Sequence, residues 1–253
     1  MDIVIIGSGN TAAVLGRKFK AAGHHIVQIV SRNASAASAL AYEWDTESSN
    51  YMITIHKNAD VYLIAVSDDA ITEVIENLKL PGKVVAHTAA AIPKEILKKV
   101  SEHYGVFYPL QSLRKEKVTL PEVPVFYDGS DELTKSKLEF LAKSISEEKV
   151  AEAGDDARLK LHVAAVVVSN FVNHLYTLAE DYCRKEGLNF KQLLPLIDET
   201  ASRIKTISPA QAQTGPAIRQ DKETIQKHLD LLKDHNQLKN LYLLLTESIQ
   251  QGN

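Results

Sequence analysis

The sequence predicts an α/β domain with a mostly parallel sheet over residues 1–153, followed by an all-α domain over residues 154–253. Three observations carry this. As far as about residue 90, short apolar runs alternate with helically spaced apolar residues. A glycine-rich turn, Gly7-Ser8-Gly9, closes the first of those runs, and after Gly154-Asp155-Asp156 the pattern is helical only. A length of 253 residues leaves room for two cores.

Taken in order, Ile3–Ile6, Ile26–Val30, Val61–Val66 and Val84–His87 read as buried parallel strands, because their apolar character is continuous rather than alternating. Thr11–Ala22 carries Ala12, Leu15 and Phe19 at helical spacing, with Gly23 as a stop, so the first two strands and this helix form a βαβ unit. Gly105–Tyr108 and Val123–Tyr127 read as further strands. A helix over Glu132–Ile145 and a short strand near Lys149–Ala151 complete the domain. Helices are then expected over 157–186, 190–207, 221–234 and 237–250, with a loop from Ser208 to Gln220. The first half is therefore a Rossmann-type domain.

An apolar share of 45% and a charged share of 24% exclude disordered and fibrous classes. A net charge of -3 without any basic run gives nothing to attract nucleic acid or an anionic membrane. The first residues show neither a basic leader nor a cleavage site, and the single cysteine, Cys183, cannot form an intramolecular disulfide. A cytoplasmic location is expected. Cys183, among Tyr182, Arg184 and Lys185, reads as a partly buried small residue without chemistry.

The long helix lacks any formal charge for nineteen consecutive residues between Lys160 and Glu180. That length raises the question of a membrane span, but His162, Ser169, Asn170, Asn173, His174 and Thr177 would be costly in hydrocarbon. A central, buried helix between the sheet domain and a partner subunit is expected instead. Eight leucines from Leu229 to Leu245 add apolar surface, so a homodimer through this half is expected.

Gly7-Ser8-Gly9-Asn10-Thr11-Ala12 matches the dinucleotide fingerprint G-x-G-x-x-A in its required place between strand and helix. The first glycine permits the tight turn, the second lets the backbone approach a pyrophosphate, and Ala12 lets the helix lie close to its strand. The second strand ends in Ser31-Arg32-Asn33, where NAD enzymes place a carboxylate. Arg32 suits a 2′-phosphate, with Ser31 and Asn33 as donors beside it, which favours NADP over NAD. Two more strand ends, Val66-Ser67-Asp68 and His87-Thr88-Ala89, point to the same crevice. Ser67 and Thr88 read equally well as ligand donors or as caps and turns, and His87 as a donor to phosphate, hydroxyl or substrate.

Gly7-Ser8-Gly9, His87-Thr88-Ala89, Tyr108-Pro109-Leu110-Gln111, Ser169-Asn170 and the run Thr214–Asp221 together resemble Rossmann-like proteins carrying a domain of unknown function numbered 2520. The resemblance spans nearly the whole chain. Its most specific parts are Gly215-Pro216 with Arg219 and Asp221, and the long helix with Ser169-Asn170. It implies a Rossmann domain followed by a helical dimerisation domain, related to pyrroline-carboxylate reductases and to NADP oxidoreductases that use F420. It implies no substrate. The sequence departs from the family at Tyr108, where histidine is common, and at Ala90-Ala91.

No tyrosine is followed four residues later by lysine, and position 164, four beyond Lys160, is alanine, so neither the short-chain nor the β-hydroxyacid dehydrogenase proton donor is present. No His or Cys cluster has zinc spacing, and no metal is expected. On an ideal helix, His162, Ser169, Asn173, Tyr176 and Glu180 fall within about 40° of one line. The expected reaction is hydride transfer between NADP(H) and a small carbonyl or imine compound. In it His162 passes the proton, Ser169 or Asn170 orients the acceptor, and Gly215 and Arg219 border the substrate. A non-catalytic NADP(H)-binding sensor or scaffold is the alternative, since a fingerprint shows binding and not turnover. No residue favours F420 itself.

Overall fold

In the computed structural model, which describes residues 1–116, 122–146 and 148–252, two compact units divide at Val167/Val168. Among the described residues the first unit holds eight strands: β1 (Asp2–Ile6), β2 (His25–Val30), β3 (Glu47–Ser49), β4 (Val61–Ile64), β5 (Val84–His87), β6 (Tyr104–Pro109), β7 (Val125–Gly129) and β8 (Val150–Glu152). Their order in the sheet is β3-β2-β1-β4-β5-β6-β7-β8, and every neighbouring pair is parallel except the antiparallel β6 and β7. The first six strands follow the doubly wound order, which brings the carboxyl ends of β1 and β4 side by side and creates a crevice there.

Alternate residues of each strand feed opposite cores, as the pleat requires. Ile3, Ile5, Val61 and Leu63 pack under the helices α1 (Asn10–Ala21), α2 (Ala34–Trp44) and α4 (Glu132–Ile145), while Val4, Ile6, Tyr62 and Ile64 pack on the face of α3 (Ile71–Glu76). α1 turns Ala12, Leu15 and Phe19 inward, as their spacing predicts. α4 covers the predicted span and is capped by Asp131, which accepts from the Thr134 amide. α2 and β3 lie in a stretch that the sequence reading left unassigned. The apolar run through Val66 supplies a strand only to Ile64.

One continuous helix runs from Asp155 to Lys185 as α5 (Asp155–Ala165), a π turn (Val166–Phe171) and α6 (Val172–Lys185). The units divide inside it, later than the 153/154 boundary read from the sequence, because Arg158 of α5 is buried in the sheet unit. The expected burial of this helix involves a partner subunit; in the single chain Val163 is 59% exposed, Val168 72% and Phe171 60%. The polar line read from the sequence assumes an ideal helix, and a π turn at Val166–Phe171 interrupts that geometry. By length and composition this helix also passes as a membrane span, though it carries the polar residues named above.

The second unit comprises α6 with α7 (Leu194–Arg203), α8 (Pro209–Ala212), α9 (Lys222–Leu231) and α10 (Asn236–Gln251). Polar contacts tie its helices: His228 to the Tyr242 hydroxyl at 2.9 Å, and His235 to Glu186 at 2.8 Å. Cys183 is buried and unpaired, as a small core residue.

Candidate functional site

α1 begins at Asn10 with Gly9 as its N-cap, and no side chain accepts from its first turn. That leaves the positive end of the helix open to a ligand at the carboxyl edge of the sheet. A crevice of about 990 Å³ lies there. Of the residues predicted to hold a dinucleotide, all but Thr88 line it. The two fingerprint glycines are required for different reasons. Gly7 has φ +125°, and an added Cβ would lie 2.1 Å from the Ala65 carbonyl oxygen. Gly9 is extended, and an added Cβ would meet no atom within 4 Å, so neither backbone nor internal packing calls for glycine at that point.

The loop after β2 is knitted to the fingerprint. The Ser8 and Ser31 hydroxyls lie 2.8 Å apart, Ser31 Oγ accepts from the Asn33 amide, and Asn33 caps α2 by accepting from the Ala36 amide. Arg32 is exposed and donates to the Glu73 carboxylate of α3 at 2.5 Å. Ser67 opens a 3-10 turn, and its hydroxyl helps hold the Asp69 carboxyl below the usual range. The Thr88 hydroxyl reaches the Ile64 carbonyl at 3.5 Å, a weak link between strand ends. Glu73, Val74 and Asn50–Ile53 also line the crevice and were not foreseen, because neither α3 nor the segment after β3 has a strong periodic signal.

Beyond β5 and β6 a second polar cluster forms. His87, a candidate read from the sequence, is fully buried, and its Nδ1 accepts from the Ala89 amide. Burial first, and then the charge of Arg158, push its pKa down to about 4, against the opposing pull of the Pro93 carbonyl and Asp155. Arg158, 1% exposed, donates to the carbonyls of Ala90 and Ile92 and to Asp155 at 2.6–3.0 Å. Asp155 stays below the usual carboxylate range: burial opposes this, but the Arg158 hydrogen bond and charge prevail. Sequence reasoning missed Arg158, since an arginine in the first turns of a helix ordinarily reads as solvated.

Tyr108, at the end of β6, packs with Ala90, and its hydroxyl lies 3.0 Å from His162 Nδ1. Burial is the main reason the Tyr108 phenol is raised above its ordinary value. Thus Tyr108, at the position where histidine is common in the family the sequence resembles, touches the imidazole picked out on the long helix. In the second unit, Ser169 and Asn170 fall in the π turn, a distortion common at functional sites. Gly215 has φ +107° in a turn, Arg219 is exposed, and Asp221 caps α9 through the Thr224 amide at 3.0 Å. Among the described residues no group of three His, Cys, Asp or Glu side chains is arranged to hold a metal ion.

The model of a family described as Domain of unknown function (DUF2520) matches residues 123–249, and that of the NADP oxidoreductases described as coenzyme F420-dependent matches residues 2–91. No curated protein matches the chain. Among solved structures, a Bacteroides fragilis protein assigned as an NADP oxidoreductase is similar at 36% identity, covering 99% of this chain and 98% of its own, with a TM-score of 0.88. A reductive aminase from Aspergillus terreus, in complex with NADPH and ethyl levulinate, shares the fold at 15% identity, 99% and 92% coverage and a TM-score of 0.75. So does a 1-pyrroline-5-carboxylate reductase from Streptococcus pyogenes, at 14% identity, 99% and 98% coverage and a TM-score of 0.65.

Buried His87 has a measurable consequence. Its proton is bound near pH 6.5 in the unfolded chain but only near 4 in the folded one. Between those values the unfolded state holds more protons, so stability falls as pH drops through the window, by up to about 3 kcal/mol. His87→Asn keeps an acceptor for the Ala89 amide and removes the titration. Its thermal midpoint is expected to decline less steeply than the wild type's from pH 6.5 to 4, and equal slopes would show that His87 does not carry the effect.

Proposed function

The chain belongs to the DUF2520 family, and from that premise we propose that it is an NADPH-dependent oxidoreductase that reduces a small carbonyl or imine compound. The observation that carries this reading is the open space before Gly9. At the uncapped N-terminus of α1, glycine serves no internal purpose, which fits a backbone kept bare for a pyrophosphate. Arg32 borders the same crevice and offers a bidentate partner to a 2′-phosphate, with Ser31 and Asn33 beside it. Gly7, Ser8, Asn10 and Thr11 complete the cradle, and Val66 and Ser67 its rim.

NADPH, when bound, supplies the hydride. The chain's own residues must hold the acceptor and pass one proton to the nitrogen or oxygen that gains negative charge. His162 is our candidate for that proton. A Tyr108 hydroxyl that donates to His162 Nδ1, 3.0 Å away, places an imidazole proton on Nε2, the nitrogen that does not face Tyr108. Tyr108 is thus a positioning residue that fixes the tautomer. Ser169 and Asn170, in the π turn, are candidates to orient the acceptor, and exposed Arg219 beyond the Gly215 turn is available to an anionic group. His87 is not part of this proposal.

A second copy of the chain is the partner we infer for the uncovered helix. Val163, Val167, Val168 and Phe171 are 51–72% exposed, and Leu243, Leu244 and Leu245 add to the apolar surface of the second unit. A cytoplasmic location accords with the single buried, reduced Cys183.

Gly9→Ala should fold with an unchanged thermal midpoint yet lose NADPH binding, and Arg32→Ala should weaken NADPH by about 1.5–3 kcal/mol with NADH nearly unchanged. Equal losses for both cofactors in Arg32→Ala would remove the 2′-phosphate assignment.

Across a panel of cyclic imines, keto acids and aldehydes, NADPH oxidation is the expected readout, and binding without oxidation of any member would favour the sensor reading. On an accepted substrate, His162→Gln should lower kcat by about 10²–10⁴-fold at unchanged NADPH affinity. Tyr108→Phe should lower it less and displace the pH profile. Full kcat in His162→Gln would end its candidacy.

Light scattering at micromolar concentration should give a dimer mass. A monomer would refute the assembly.

A further inference from the structure

We propose that Glu73 competes with the cofactor for Arg32, and in that way sets how strongly the site prefers NADPH over NADH. The proposal rests on the reading that the crevice binds NADP(H). Among the described residues lining the crevice, Arg32 and Glu73 are the charged ones. They are bonded to each other, Arg32 Nη1 to Glu73 Oε2 at 2.5 Å, although they belong to different elements 41 positions apart. The cation that would recognise a 2′-phosphate is therefore already neutralised by the chain's own carboxylate.

Physical chemistry sets the direction of the effect. The Arg32 and Glu73 side chains are 71% and 57% exposed, so their pairing is weak and can be exchanged. A 2′-phosphate must take Arg32 from Glu73 and then tolerate a carboxylate close to the guanidinium it has claimed. A 2′-hydroxyl faces neither demand. Glu73 thus lowers the affinity for the phosphorylated cofactor and leaves that for the other nearly unchanged. Asp69 lies close enough for Arg32 to help depress its pKa, but its largest stabilising contact is the Ser67 hydroxyl. Glu73 is the residue that holds the guanidinium. Its backbone carbonyl meanwhile accepts from the Asn77 side chain, a bond that a change of side chain at position 73 leaves in place.

The test is a double-mutant cycle on the full chain, with dissociation constants for NADPH and NADH measured by fluorescence titration. Glu73→Gln, which keeps size and polarity, should tighten NADPH by about two- to fivefold and leave NADH unchanged. Glu73→Ala should act in the same direction, and the thermal midpoints report that both variants fold. In an Arg32→Ala background the gain from Glu73→Gln should shrink towards nothing. A gain that persists in full without Arg32 would mean plain repulsion and overturn the competition. Unchanged or weaker NADPH binding, or equal tightening of both cofactors, would also overturn it. If neither the wild type nor Glu73→Gln binds NADPH, the cofactor reading falls and this proposal with it, an outcome distinct from the others.

Discussion

The turn after β1 passes so close to β4 that one methyl group at position 7 would overlap the Ala65 carbonyl oxygen. That approach lets the Gly7 amide bond the Val30 carbonyl and the Ala65 amide bond the Ile6 carbonyl, at 2.8 and 2.7 Å, so three strands end at one level. α1 then starts within three residues, and its N-terminus arrives at the edge where those strands stop. The crevice, the Ser8 to Ser31 contact and the position of Arg32 all descend from this single close passage. Gly9, two positions on, is free of any such demand. The chain therefore spends one glycine on its own packing and keeps the other for what enters from outside.

A different economy governs the segment after β5. Three donors and acceptors of the chain hold it: Arg158 takes the Ala90 and Ile92 carbonyls, Asp155 takes the Lys94 amide, and Asp128 takes the Lys94 ammonium at 2.5 Å. Within that clamp Arg158 Nη1 has no hydrogen-bond partner. A buried polar atom left unpaired costs about 1–3 kcal/mol. Burial first, and then the fixed Arg158 guanidinium opposing a second positive charge, account for the lowered pKa of His87. The result is a firm seat at Ala90 for Tyr108, and through Tyr108 a fixed partner for His162.

What could be read in the sequence was the part written in periodicity and turn chemistry. The fingerprint, α4 and the division into sheet and helices follow directly from spacing. α2 was legible in principle, since Ala37, Leu40, Ala41 and Trp44 repeat at helical intervals and are the residues it buries. Alanines made that stripe faint, and β3, Glu47-Ser48-Ser49, contains no apolar residue at all. The π turn was hidden for another reason: Val166-Val167-Val168 suits several helical geometries, and only tertiary packing chooses among them. The burial of His87 was not legible, because a histidine closing a strand looks the same whether it faces a crevice or the core. Arg158 and Glu73 were passed over because charged side chains are usually solvated, and their partners lie 68 and 41 residues away, beyond any local pattern.

The sheet ends at both sides in strands of three residues. β3 carries Glu47, paired with His56, and β8 carries Glu152, paired with Lys135. An exposed edge invites another chain to add a strand, and the invitation grows with length, flatness and apolar character. Neither edge here offers these: each is short, mostly solvent-facing and carries a glutamate held by a neighbouring side chain. Strand addition, the usual route from an open sheet to aggregates, is thereby disfavoured at both margins, and any contact the sheet unit makes there must be chosen by side-chain shape rather than by bare backbone.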